Sequence, residues 1–93
     1  MKIALDYDST YTEDPIFWDT FIASVRHHGH SIVCCTMRYP EEGDAVIEAL
    51  GHQVDEIIFT GRKAKMQFLK DKGIEIGVWV DDSPHWIYQD ALT

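Results

Sequence analysis

The chain has 93 residues, of which 45% are hydrophobic and 26% are charged, a composition typical of one packed globular domain rather than of a disordered segment. Its 16 acidic and 8 basic side chains give a formal net charge of −8, which disfavours nucleic acid as a partner. No apolar run approaches the roughly 20 residues of a membrane span, and no signal peptide is recognisable, so we expect a cytoplasmic protein without a membrane partner.

Four apolar runs of strand length alternate with segments of helical spacing. The strands are predicted at 2–5, 31–35, 54–59 and 76–80. The helices are predicted from Pro15 to a stop at Gly29, from about 41 to 50, from about 62 to 72, and from Ser83 onward. This alternation predicts a single three-layer α/β domain over 1–93, with a Rossmann-like, doubly wound parallel sheet in the strand order 3-2-1-4.

The spacing within each helix also predicts which side chains face the core. The predicted inward residues are Phe17, Phe21, Ser24, Val25, His28, Val46, Ile47, Leu50, Phe68 and Leu69. The last helix is predicted to carry Trp86, Ile87 and Leu92. The adjacent Cys34 and Cys35 fall within the second strand, where neighbouring side chains point to opposite faces. We therefore expect two reduced, buried thiols, as in a cytosolic protein.

Acidic residues gather where the first and fourth strands end, because Asp6 and Asp8 follow the first strand and Asp81 and Asp82 follow the fourth. Parallel strands bring their carboxyl ends to one edge of the sheet. Two like charges about 4 Å apart cost about 1 kcal/mol in water and about 4 kcal/mol in a partly shielded site. Mg²⁺ among these carboxylates would remove that repulsion, and such sites are usually completed by a substrate phosphate.

Phosphate ligands are predicted from the second strand and the third helix. Lys65 falls in the first turn of the third helix, and Thr36 ends the second strand with a hydroxyl group. Arg38, two residues further on, is expected to reach the distal part of a substrate. Arg62 and Lys63 are interpreted as part of a solvated helix face.

These motifs, in this order, resemble the haloacid dehalogenase (HAD) superfamily of phosphotransferases over essentially the whole chain. They are "ALDYDST" at 4–10, "IVCCT" at 32–36, Lys65 within "TGRKAKMQFL" at 60–69, and "VWVDDSP" at 78–84. The resemblance implies a Mg²⁺-dependent phosphomonoesterase that acts on a phosphorylated substrate, which could be nucleotide-like.

The resemblance also implies a role for each matching residue. Asp6 would be the nucleophile that forms an aspartyl-phosphate, and Asp8 would be the general acid and then the general base. The metal would be held by Asp6, the backbone carbonyl of Asp8, Asp81 and, through water, Asp82. Thr36 and Lys65 would hold the phosphoryl oxygens. The residues assigned to substrate binding are Ser9, Thr10, Thr36, Arg38 and Lys65.

The chain departs from the family pattern in three ways. Ser9 occupies a position where the family often has Gly, and the spacings before Pro15 and Lys65 leave no room for a cap domain. The fourth predicted strand leaves a sheet edge that the last helix or another subunit would have to cover, so a homo-oligomer is an open alternative. The open site could also carry an aromatic stacking surface for a nucleotide base, formed by Tyr7, Tyr11, Tyr39 and Trp86.

Three alternative functions fit the sequence less well than a phosphomonoesterase. A signalling receiver domain needs an aspartate at the end of its third strand, where this chain has "FTGRK". A catalytically silent binding or regulatory module would have no need of Asp8. A polynucleotide end phosphatase is disfavoured by the acidic net charge.

Overall fold

The computed structural model describes residues 1–91, which form a four-stranded, all-parallel sheet in the order β3-β2-β1-β4. The strands are β1 (Lys2–Leu5), β2 (Ser31–Thr36), β3 (Glu56–Phe59) and β4 (Val78–Val80). The helices are α1 (Pro15–His27), α2 (Asp44–Leu50), α3 (Lys65–Asp71) and α4 (His85–Tyr88), with single 3₁₀ turns at Tyr11–Glu13 and Pro40–Glu42. The predicted α/β class and strand order are confirmed.

Two helices begin later than the sequence predicts, each for a local reason. Residues 40–42 form a separate 3₁₀ turn that ends at Gly43, so α2 begins only at Asp44. The segment before α3 cannot be helical, because Gly61 and Arg62 both have a positive φ, of 59° and 70°. Lys65 is therefore the first residue of α3.

The register of the sheet brings the ends of β1 and β4 level, and β2 extends two residues further, to Thr36. Leu5 on β1 lies opposite Cys34 on β2 and opposite Val80 on β4. The next residue, Asp6, donates its backbone N–H to Val80 O at 2.9 Å. The carboxyl ends of these strands thus form one edge, with β1 near its centre.

The sheet has a hydrophobic core on each face. On one face, β1 and β2 pack against α1 and α2, and on the other they pack with β3 against α3. Cys34 belongs to the first core and Cys35 to the second, and both are free and buried. The predicted placement of the two cysteines on opposite faces is confirmed.

The predicted inward faces of α1 and α2 are partly wrong. Phe17 is 55% exposed and Ile47 is 51% exposed, and Ser24 and His28 of the α1 prediction are also exposed. The residues of α1 and α2 that pack on the sheet include four of the predicted ones, Phe21, Val25, Val46 and Leu50. The others are Trp18, Ile22 and Ala49. In α3, Phe68 and Leu69 pack inward as predicted. In α4, Ile87 is buried and Trp86 is half-buried, and the expectation for Leu92 lies outside the described residues.

The segments where a cap domain would be inserted are short. Residues 6–14 contain only the single 3₁₀ turn, and residues 60–64 contain no helix or strand. β4 is an edge strand among the described residues, and its cover by another subunit stays a prediction. Within residues 1–91, no helix has the length and apolar character needed to cross a membrane.

Candidate active site

Three carboxylates converge at the carboxyl edge of β1 and β4. Asp6 follows β1, and Asp81 and Asp82 follow β4, its hydrogen-bonded neighbour. One carboxylate oxygen from each residue lies within 4.8 Å of the other two. The structure therefore brings together three of the residues that the sequence predicts to surround a metal ion.

Lys65, the first residue of α3, forms ion pairs with two of these carboxylates, those of Asp6 and Asp81. Its Nζ lies 2.8 Å from Asp6 Oδ1 and 2.5 Å from Asp81 Oδ2, and its side chain is only 3% exposed. Burial lowers the pKa of Lys65, but the two carboxylates outweigh burial, so the net shift is upward. A charged ammonium group is thus held at the base of the site.

Asp6 is buried and its environment favours the neutral form. Burial raises the pKa of Asp6 to about 6, although the Lys65 ammonium opposes that rise. The Asp6 carboxyl is consequently ionised in most molecules at pH 7 and protonated in most at pH 5.

Thr10 connects the carboxylates of the two strands. Its hydroxyl lies 3.0 Å from Asp6 Oδ2 and 3.1 Å from Asp82 Oδ1, and it also accepts a hydrogen bond from the backbone N–H of Asp82. Ser83 adds a backbone N–H that donates to Asp81 Oδ1. Thr10 therefore supports the carboxylate cluster, and its assignment to substrate binding stays a prediction.

Asp8 lies at the mouth of the site rather than in the carboxylate cluster. Arg38 donates to both of its oxygens, from Nη2 at 2.8 Å and from Nε at 3.0 Å. Arg38 also donates from Nη1 to the backbone carbonyl of Glu42 and lies over the Tyr7 ring. The Asp8 side chain is thus held in a two-pronged ion pair, and its predicted backbone contact to the metal stays a prediction.

Most of these groups line one open cleft, which has a volume of about 580 Å³. Thr36 is fully buried in its wall and accepts a hydrogen bond from the backbone N–H of Arg38. Ser9 lines the same cleft and has a positive φ of 62°. The predicted site residues that line the cleft are Asp6, Asp8, Ser9, Thr36, Arg38, Lys65, Asp81 and Asp82.

Sequence reasoning missed several residues of the cleft wall, and the most important is Arg62. It was interpreted as part of a solvated helix face, but it precedes α3 and its guanidinium binds Met37 O and Glu42 Oε2. The one available signal was the preceding Gly61, which predicts a turn rather than a helix. The other missed lining residues are Met37, Glu42, Ser83 and Ala91, whereas Trp86 was predicted at the rim of the site.

The predicted aromatic stacking surface is largely absent. Tyr7 and Tyr11 are buried in the core, where their rings stack on one another, and Tyr11 donates its hydroxyl to Asp19. Trp86 lines the cleft and Tyr39 is exposed nearby, under the Arg62 guanidinium. At most these two side chains are open to a planar group.

No protein-family model matches the chain, and neither a curated protein nor a solved structure matches it. The functional interpretation therefore depends on the geometry and chemistry of the residues described above.

Proposed function

We propose that the chain is a HAD-type, Mg²⁺-dependent phosphomonoesterase that uses Asp6 as its nucleophile. One observation carries the proposal: a buried carboxylate at the end of a central strand is ion-paired to the buried Lys65, beside Asp81 and Asp82, at the base of an open cleft. The buried, free thiols of Cys34 and Cys35 suit a reducing compartment, so we place this activity in the cytoplasm.

The donor set fits Mg²⁺. Asp6, Asp81 and Asp82 offer only carboxylate oxygens, which are the hard ligands that Mg²⁺ prefers, and three of them leave room for water and a phosphate oxygen. The chemistry that Mg²⁺ supplies when bound is neutralisation of charge on the phosphoryl oxygens.

Side chains of the protein carry out the remaining steps of the reaction. Asp6 attacks phosphorus, the bond from phosphorus to the ester oxygen breaks, and Asp8 gives a proton to the departing alcohol. Asp8 then takes a proton from water as the water oxygen attacks phosphorus, and the bond to Asp6 breaks to release inorganic phosphate. Lys65 and Thr36 hold the phosphoryl oxygens during both steps.

A second candidate is a phosphate-binding module without turnover. It is favoured by the ion pair at the mouth of the cleft, because both oxygens of Asp8 accept hydrogen bonds from Arg38. While that pair is intact, both Asp8 oxygens are directed at the Arg38 guanidinium.

Hydrolysis of 4-nitrophenyl phosphate, measured with Mg²⁺ and with EDTA, tests the proposal. The wild-type protein should be active only with Mg²⁺, and Asp6→Asn should lower kcat by at least about 10³-fold. Asp71→Asn is the matched control, since it makes the same change on an exposed carboxylate at the far end of α3 and should retain activity. Activity that survives in Asp6→Asn would refute the nucleophile, and phosphate binding without hydrolysis would favour the binding module.

A further inference from the structure

Three cationic side chains line the cleft of this acidic protein, together with the carboxylates of Asp6, Asp8, Glu42, Asp81 and Asp82. Of the 8 Lys and Arg residues, these three are Arg38, Arg62 and Lys65. Lys65 is committed to the carboxylates at the base, whereas the two arginines lie nearer the solvent and are 29% and 31% exposed. The cleft thus has two guanidinium groups beyond the predicted phosphoryl position, each paired with one carboxylate.

The two arginines are held by loops that are bonded to each other. The backbone N–H of Gly61 donates to Arg38 O at 3.2 Å, and that of Arg62 donates to Met37 O at 2.9 Å. The Arg62 guanidinium donates to the same Met37 carbonyl, and the Arg38 guanidinium donates to the carbonyl of Glu42. These bonds fix both guanidinium groups in advance of any ligand, which lowers the entropy cost of binding.

Both guanidinium groups keep unused donors. Arginine has five N–H groups. Arg38 uses three of them, on Asp8 and Glu42, and Arg62 uses two, on Met37 and Glu42, among the residues that the structure describes. Arg62 also has a positive φ of 70°, an uncommon conformation that costs about 1 kcal/mol for a residue with a Cβ atom.

We propose that Arg38 and Arg62 form a second anion subsite, so that the preferred substrates are phosphomonoesters with another anionic group on the alcohol that is released. This inference rests on the proposed function. A phosphoryl group at Asp6 and Lys65 occupies the buried base of the cleft, so the alcohol must extend toward the mouth, where the two arginines lie. A carboxylate or phosphate there matches the planar fork of a guanidinium.

The test compares 4-(carboxymethyl)phenyl phosphate with its uncharged amide, which differ in charge at the distal position but have similar leaving groups. The wild-type protein should show a kcat/KM about 10-fold to 100-fold higher for the acid. Arg38→Gln should lose that preference, and Arg62→Gln should lose part of it. Arg26→Gln removes an exposed ion pair with Asp55, outside the cleft, and should leave the preference unchanged.

A binding measurement separates this inference from the proposed function. The corresponding phosphonates, which cannot be hydrolysed, are titrated calorimetrically into wild type, Arg38→Gln and Arg38→Lys, with circular dichroism to check folding. The acid phosphonate should bind wild type more tightly than the amide, and Arg38→Lys should keep only part of the difference. Equal binding of acid and amide to wild type would overturn the subsite, whereas tighter binding of the acid without hydrolysis of either ester would refute only the phosphatase.

Discussion

Asp6 has a raised pKa because the fold places a carboxyl group at the buried end of β1. Burial raises the pKa to about 6, against the opposing effect of Lys65. Between about pH 4 and pH 6 the unfolded chain is already ionised at this position while folded Asp6 still binds a proton, so the metal-free fold loses stability as the pH rises through this range. Mg²⁺ requires the ionised form and must displace that proton.

We therefore predict that Mg²⁺ affinity rises as the pH increases from 5 to 7 and changes little above 7. Below the Asp6 pKa of about 6, the affinity should fall by about 10-fold for each pH unit. Calorimetric titration with MgCl₂ at several pH values measures this. In Asp6→Asn the affinity should be lower and the same pH dependence lost. An affinity for wild type that is constant from pH 5 to 7 would contradict the role of Asp6 as a ligand.

Ser9 has a backbone conformation that is unfavourable for a residue with a Cβ atom. Its φ of 62° lies in the left-handed region, where glycine is unstrained, and the HAD family often has Gly after the second aspartate. Ser9→Gly should leave the free energy of unfolding unchanged or raise it by up to about 1 kcal/mol.

Urea denaturation measures that change, with Ser31→Gly in β2 as the matched control. Ser31 lies in a strand, so glycine there should lower the free energy of unfolding by about 0.5 to 1 kcal/mol. A loss of stability in Ser9→Gly as large as that in Ser31→Gly would show that Ser9 is not strained.

At the scale of secondary-structure elements, the orientation of α1 decides which aromatic and aliphatic residues stabilise the fold. Ile22 is 1% exposed in the core between α1 and the sheet, whereas Phe17, five residues earlier, is more than half exposed. Phe17 packs mainly edge-on against Trp18.

We predict that truncation to alanine destabilises the fold much more at Ile22 than at Phe17. Ile22→Ala should lower the free energy of unfolding by about 2 to 5 kcal/mol, because it removes buried methyl and methylene groups and leaves a cavity. Phe17→Ala should lower it by less than about 1 kcal/mol. Chemical denaturation of both variants gives the comparison, and a larger loss for Phe17→Ala would mean that α1 presents the originally predicted face.

The sequence was sufficient for the number, order and ends of the strands, although β3 and β4 each begin two residues later than predicted, at Glu56 and Val78. Because a strand places its last residue at a fixed edge, the sequence alone assigns Asp6, Thr36 and Asp81 to one site. The face of α1 was harder, since apolar residues lie on both sides of that helix. Gly61 indicates a turn before α3, but the position of the Arg62 side chain also depends on the positive φ of Arg62 itself, which the sequence does not predict.

The Asp8–Arg38 ion pair could not be predicted either. Residues 30 positions apart in the chain meet there only because the loops after β1 and β2 lie side by side. The spacing of Asp6 and Asp8 in the sequence predicts that the two residues lie close together. It does not predict the direction in which the Asp8 side chain points.

At the scale of the whole molecule, the acidic net charge disfavours large polyanionic ligands. The net charge is −8, and three of the eight cationic side chains line the cleft. A polynucleotide would have to bring many phosphates close to this acidic surface, whereas a small phosphomonoester brings one or two.

We predict that kcat/KM is lower for a 3′-phosphorylated oligonucleotide than for the corresponding nucleoside monophosphate at low salt. The difference should shrink between about 10 mM and about 100 mM NaCl, as the Debye length falls from about 30 Å to about 10 Å and the repulsion is screened. Phosphate release assays on both substrates measure it. A better rate with the oligonucleotide, declining as salt is added, would favour a polynucleotide end phosphatase.

The most direct test of the central claim is to trap the phosphoryl group on the protein. Mg²⁺-loaded protein is mixed with 4-nitrophenyl phosphate, quenched in acid, reduced with borohydride, which converts an aspartyl-phosphate to homoserine, and analysed by peptide mass spectrometry. The proposed mechanism predicts reduction at position 6 in the wild-type protein and none in Asp6→Asn. Reduction at another aspartate, or steady turnover by Asp6→Asn, would contradict it.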